Sequence, residues 1–165
     1  MIRQLSVMVL LVVTFSASAD ISGRIVRVLD GDTVEVLETG NRLTRVRLAG
    51  IDAPEKSQPF GQRSRQELTS MVAQRNVTIT GEETDRYGRR LGTVWLGATD
   101  VNAAQIRKGL AWVYRYHGKP VRPDYAVLEA EARRQSVGLW SEPGQTEPWH
   151  WRSQHQERGS VRDAP

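Results

Sequence analysis

The chain has no cysteine, so no disulfide can staple its fold, and stability must come from burial alone. The same lack removes the attachment point for a bacterial-type lipid anchor. Histidine is scarce: His117, His150 and His155 stand late in the chain, and their spacing fits neither a metal-ligand motif nor a Ser-His-Asp arrangement. Lysine is nearly absent too. Apart from Lys56, Lys108 and Lys119, every one of the 23 basic residues is arginine. No internal repeat is visible, and no linker divides the chain before residue 141. The apolar run Leu5 to Phe15 is too short to span a bilayer comfortably.

What is present suits one exported domain. A length of 165 residues is enough for a single core, and 39% hydrophobic with 25% charged content is that of an ordinary globular protein. Arg3, the apolar run and Ala17-Ser18-Ala19 together read as a signal peptide over residues 1–19, with the mature chain starting near Asp20. The alternative is an uncleaved anchor. Export predicts a secreted or periplasmic protein with no stable membrane association once the leader is removed. Outside the cytosol calcium is plentiful, so a weak oxygen-ligand site can stay filled. The formal net charge of +4 is weak support for a nucleic-acid partner. The arginine bias is also consistent with base composition alone, although arginine is the better bidentate phosphate ligand.

Periodicity predicts strands over residues 23–29, 33–37 and 43–49, joined by turns at Asp30-Gly31 and Thr39-Gly40-Asn41. In the third strand Val46 and Leu48 share one face, and Arg45 and Arg47 the other. A helix is expected over 62–74, with Leu68, Met71 and Val72 inward, followed by strands over 76–80 and 91–96. Asp100 is placed to cap a short helix over 101–108 that stops at Gly109. Residues 110–113 should be extended and 124–136 helical. Five or so strands with inserted helices predict a mainly β, α+β fold: a partly open barrel of oligonucleotide-binding type with about three helices over residues 20–140. Residues 141–165 read as an irregular tail, disordered past about residue 153, from which Trp149 and Trp151 can pack back on the domain. Trp95, Trp112 and Trp140 lie in apolar runs and are assigned to packing.

Chemistry concentrates in Asp52-Ala53-Pro54-Glu55, in Arg47 just before it and in Asp32 of the first turn. A second arginine, Arg89, follows in Asp85-Arg86-Tyr87-Gly88-Arg89. Carboxylates without nitrogen or sulfur ligands suit a hard cation, calcium or magnesium rather than zinc. A third acid, Glu55, can activate or position water. Guanidinium forks match phosphate oxygens and stay charged at any working pH. That set fits hydrolysis of a phosphodiester, whose anionic oxygens repel an anionic nucleophile. Each residue also has a plainer reading. Asp32 can be a turn residue, Asp52 an Asx-turn or cap, Glu55 a first-turn helix residue, and Arg47 a partner for a barrel acid such as Glu35. Tyr87 offers a ring for base stacking or for packing.

Taken in order, Gly31-Asp32-Thr33, Arg47-Leu48-Ala49-Gly50-Ile51-Asp52-Ala53-Pro54-Glu55, Asp85-Arg86-Tyr87-Gly88-Arg89, Asn102 through Gly109-Leu110-Ala111, and Gly138-Leu139-Trp140 resemble the staphylococcal nuclease-like (thermonuclease) family. The match spans about residues 23–140. The resemblance implies a five-stranded oligonucleotide-binding barrel with three helices and calcium-dependent cleavage of DNA and RNA to 3′-phosphate products. It implies Ca²⁺ ligands at Asp32, Asp52 and the main-chain carbonyl of Ala53, and catalytic roles for Arg47, Glu55 and Arg89. Nucleotide contacts would fall to Arg86, Tyr87 and Tyr114. The type enzyme has threonine where this chain has Ala53, and a longer loop between Glu55 and the first helix. A monomer is expected. Two rivals remain: a barrel that binds single strands without cutting them, and an interaction domain that docks a partner through the tryptophan-rich tail.

Overall fold

The computed structural model describes residues 20–162, so the leader reading of residues 1–19 lies outside the described residues. The strands are β1 (Ile21–Asp30), β2 (Thr33–Glu38), β3 (Leu43–Leu48), β4 (Ile51–Asp52), β5 (Asn76–Thr80), β6 (Arg90–Leu96), β7 (Thr99–Asp100), β8 (Trp112–Val113), β9 (Arg115–Tyr116) and β10 (Lys119–Pro120). The helices are α1 (Gly61–Val72), α2 (Val101–Arg107), α3 (Pro123–Arg134) and α4 (Pro148–Arg162), with a 3₁₀ turn at Gly138–Ser141. The principal sheet runs β3-β2-β1-β5-β6-β7, and β3 also pairs in parallel with β6. That extra pairing closes five strands into a barrel, as the alternation of Val34, Val36 and Val46 with polar neighbours requires. Closure leaves no open edge between β3 and β6.

The barrel interior is aliphatic. Ile25, Val34, Val36, Val46, Leu48, Ile79 and Val94 are all fully buried. Leu68 and Val72 of α1 are buried against this core, and Met71 packs beside them, as the helical period predicts. Asp100 caps α2 by accepting from the Ala103 amide at 2.9 Å, and its other oxygen accepts from the Tyr125 hydroxyl at 2.7 Å. One carboxylate thus starts α2 and pins α3. Arg122 precedes α3 and Pro123 opens it, the position where a missing amide hydrogen costs nothing. No described helix is long and apolar enough to cross a membrane.

Two corrections concern the ends of elements. The β1–β2 loop is Gly31-Asp32, because Asp30 already pairs with Thr33. Glycine is required at 31 by crowding: a Cβ there would lie 2.0 Å from Ser64 Oγ and 2.7 Å from Ala53 Cβ. The larger correction is the tail. Residues expected to be irregular form α4, with Pro148 buried at its start and Trp149 and Trp151 half-buried. Apolar surface on Pro148 and the two tryptophans offsets the ordering of an otherwise polar segment.

Candidate active site

Asp32 is held at the centre of the site by the turn that carries it. Its Oδ1 accepts from Thr33 Oγ1 at 3.0 Å, its Oδ2 accepts from the Ala53 amide at 2.7 Å, and its own amide donates to Asp30 Oδ1 at 3.1 Å. The bond to Ala53 ties the β1–β2 turn to the chain after β4. Asp52 sits in β4, which pairs with β8, and it is 1% exposed. The neighbouring β8 amide of Val113 donates to buried Glu129 of α3 at 3.0 Å. Both acids therefore stand on backbone that cannot shift without disturbing several elements.

Arg47 of β3 joins them. Its Nη1 lies 2.8 Å from Asp32 Oδ2 and donates to the Ile51 carbonyl at 3.1 Å, while Nη2 donates to Asp52 Oδ1 at 2.8 Å. Burial opposes the guanidinium's charge, but Asp32 and Asp52 more than offset this and push its pKa up. The barrel acid Glu35 is not its partner; Glu35 takes Arg45, directly opposite it across β2 and β3. Burial, with repulsion from Asp32, pushes the Asp52 carboxyl up despite its guanidinium neighbours. Burial and the nearby Asp32 raise the Asp30 carboxyl to about 7. Asp30, Asp32 and Asp52 thus crowd around the Arg47 guanidinium.

Glu55 follows Pro54 at the mouth of the site, with its side chain 40% exposed. Its amide donates to Gln58 Oε1 at 3.1 Å, and Gln58 Nε2 donates to the Thr146 carbonyl. Buried Gln58 therefore fastens both Glu55 and the tail to the short loop before α1. Gly61 completes the fit, since a Cβ there would meet the Glu55 carbonyl oxygen at 1.9 Å.

Arg89 approaches from another direction. Asp85 accepts from the amides of Tyr87 and Arg89 at 2.9 and 3.0 Å, and from Arg89 Nε at 2.7 Å. Burial opposes ionisation of Asp85, but these donors win and hold its carboxyl below the usual range. Arg86 and Arg89 flank the Tyr87 ring, 4.8 and 5.3 Å from its centroid, and that ring is 66% exposed. Asp32, Arg47, Asp52, Ala53, Glu55, Arg86, Tyr87, Arg89 and Tyr114 all line one open cleft of about 1240 Å³. Every sequence-predicted site residue thus borders a single cavity. Arg89, however, is bonded to Asp85 and not to the central acids.

Sequence reasoning missed three participants. Arg152 of α4 reaches back so that Nη1 donates to Glu55 Oε1 at 2.7 Å and Asp52 Oδ1 at 3.2 Å, and Nη2 to Asp52 Oδ2 at 2.8 Å. Its signal was slight: Pro148 as a helix start and an arginine beside the two tryptophans. Asp30 lines the same cleft, and Asn102 braces the strands behind it from a fully buried position. Fully buried Asn102 donates to the Ala49 and Gly92 carbonyls at 2.9 and 3.1 Å and accepts from the Val94 amide at 3.1 Å. It locks the end of β3 to β6 just ahead of Asp52.

No cluster of three or more His, Cys, Asp or Glu side chains arranged to hold a metal occurs among the described residues. The donors that converge are the Asp32 and Asp52 carboxylates, brought together on one guanidinium. Together they offer an all-oxygen, incomplete donor set beside Ala53. In chemistry, that set fits a hard dication whose remaining positions go to water and phosphate.

Comparison with known proteins places the chain among nuclease relatives. Residues 45–142 match the family described as Staphylococcal nuclease homologue. A protein of Escherichia coli named Protein ParB is 46% identical over 96% of this chain and 94% of its own length. The Micrococcal nuclease of Shigella flexneri is 47% identical over 92% of this chain and 91% of its own. An uncharacterized endonuclease of Escherichia coli O157:H7 is 49% identical over 81% of this chain and 86% of its own.

Proposed function

The chain belongs to the staphylococcal nuclease homologue family, and from that premise we infer that it is a nuclease that uses calcium to hydrolyse phosphodiester bonds in DNA and RNA, leaving 3′-phosphate ends. The observation that carries this reading is the convergence of Asp32, Arg47, Asp52, Glu55 and Arg89 on one cleft. Asp32, Asp52 and the Ala53 carbonyl would hold the cation. When bound, the cation supplies Lewis-acid neutralisation of a phosphate oxygen.

The chain's own residues do the rest. Glu55, at the cleft mouth, positions the attacking water and takes its proton on a carboxylate oxygen. Arg47 and Arg89 donate to the phosphate from two sides and stabilise the charge of the five-coordinate transition state. Asp85 holds the Arg89 side chain through its Nε at the cleft, which limits the ordering cost when phosphate arrives. Exposed Tyr87 and Tyr114, with Arg86, offer sequence-tolerant stacking and backbone contacts at the rim.

The test is digestion of supercoiled DNA and of RNA in calcium, in magnesium and in chelator, with analysis of the ends. Calcium-dependent products carrying 3′-phosphate and 5′-hydroxyl ends are expected. Binding of nucleic acid with no cleavage in any of the three conditions would reduce the protein to a binding barrel.

Export is proposed with it, supported by the leader-like residues 1–19. Fractionation followed by amino-terminal sequencing should recover a chain that begins near Asp20, outside the cytosol. Size-exclusion chromatography should show a monomer.

A further inference from the structure

Arg152 is chemically out of place if α4 is only a tail. Its guanidinium occupies both oxygens of Asp52 and one oxygen of Glu55. Asp52 is 1% exposed and already accepts from Arg47. Arg152 makes two of these three bonds to Asp52, one on each oxygen, and its charge repels a dication that would contact Asp52 at about 2.3–2.6 Å.

The two arginines differ in how easily they can leave. Arg47 is 14% exposed, bonded to Asp32, Asp52 and the Ile51 carbonyl, and it rises from the barrel itself. Arg152 is 40% exposed and stands on an appended helix, so a rotamer change frees it without disturbing a strand. The charge balance favours such an exchange. Asp30, Asp32, Asp52 and Glu55 crowd the same end of the cleft, and a dication in place of one guanidinium leaves them better neutralised. The Gln58 bond to the Thr146 carbonyl keeps the tail near the loop that follows Glu55 while Arg152 swings.

We propose that Arg152 is a built-in competitor for the cation: it holds Asp52 and Glu55 when no divalent ion is bound and yields them when one binds. It thereby sets the calcium concentration at which the site fills. This rests on the reading of Asp32 and Asp52 as cation ligands. Arg152 also withholds Glu55 from water in the latched form, so cation binding and release of the general base are one event. A latch closed in about nine molecules of ten weakens apparent cation affinity about tenfold.

The experiment is calorimetric titration of the full chain with calcium alone, in the absence of nucleic acid, for wild type, R152A, R152K and D52N. R152A should bind calcium about tenfold tighter than wild type, R152K should fall between, and D52N should lose binding. Thermal unfolding in chelator supplies a second reading, because R152A should be less stable than wild type without calcium and should close that gap in saturating calcium. Equal or weaker calcium binding by R152A, with D52N still abolishing it, overturns the competitor and leaves the ligand assignment standing. Calcium binding that survives D52N unchanged overturns both.

Discussion

Arg47→Lys separates charge from geometry at the centre of the site. Arg47 spans two buried carboxylates with two nitrogens, each at 2.8 Å. A lysine keeps the positive charge but brings one nitrogen, so it serves one carboxylate well and the other poorly. Because the charge is retained, no buried acid is left unneutralised, and the loss of one or two hydrogen bonds costs about 1–2 kcal/mol of stability. Arg47→Met, which removes the charge, should cost roughly 3–5 kcal/mol, as breaking a buried pair does. Catalysis should respond in a different proportion. The fork is needed where charge develops on the phosphate, and loss of one such donor lowers kcat by about 100- to 1000-fold. The expected signature of Arg47→Lys is therefore a modest fall in Tm with a large fall in kcat. Circular-dichroism melting and single-turnover cleavage of an end-labelled DNA read the two quantities on one preparation. A folded Arg47→Lys protein that cuts within about fivefold of the wild-type rate refutes the fork argument, since that gap is only about 1 kcal/mol of barrier.

Glu55→Gln keeps the shape of the side chain and leaves the backbone amide bond to Gln58 in place, so DNA binding should be unchanged while kcat drops by at least about 100-fold, measured by gel shift beside turnover. Asn102→Ala leaves the Val94 amide and the Ala49 carbonyl without their side-chain partner, and should cost about 3 kcal/mol in urea denaturation. The Asp85 carboxyl is held below its ordinary value of 3.8 by its donors, so its contribution to stability is complete above that value and is lost as pH falls through the lower, folded one. Amide exchange at Tyr87 and Arg89 should therefore accelerate in strong acid in the wild type, whereas Asp85→Asn should be fast and pH-insensitive beyond the intrinsic exchange rate.

Much of the barrel was legible because its local signals agree. Alternation in Val34 to Val36 and Val46 to Leu48, glycine at tight turns and the Asp100 cap each point to the element observed. The misplaced β1–β2 turn has a simple cause. Asp30-Gly31 is a strong local turn pair, but the register is set by packing of Gly31 against Ser64 and Ala53, which are distant in sequence. The central site residues were legible because Arg47, Asp52 and Glu55 lie close in sequence, on consecutive extended segments. Strand β8 lies within the stretch 110–113 expected to be extended, but its partner β4 was not legible, since two residues carry no periodicity. Helix α4 was hidden by polarity. Its stability depends on Pro148, Trp149 and Trp151 docking onto a surface that exists only once the barrel has folded. Arg152 was hidden by number, one arginine among the many that dominate the 23 basic residues.

Among the guanidinium groups that line this cleft, those of Arg47, Arg89 and Arg152 are anchored with graded firmness, and the grading follows from where the chain places them. Arg47 projects from a closed barrel and is bound to two acids that the fold itself fixes, so it is the least free to move. Arg89 rises from a turn that Asp85 organises and pairs with that one carboxylate, with its side chain 25% exposed. Arg152 comes from outside the barrel on a helix held by a few half-buried rings. Phosphate binding requires donors already in position, which favours the first two. Exchange with a cation requires a group that can depart at small cost, which favours the third. The barrel supplies in Arg47 a rigid donor, locked between two buried acids, rather than a departing one. The appended helix adds that property without altering the β1–β2 loop that carries Asp32 or the strand that carries Asp52. Changes confined to residues 148–155 should therefore alter how readily the site fills while leaving the geometry of the hydrolytic centre intact.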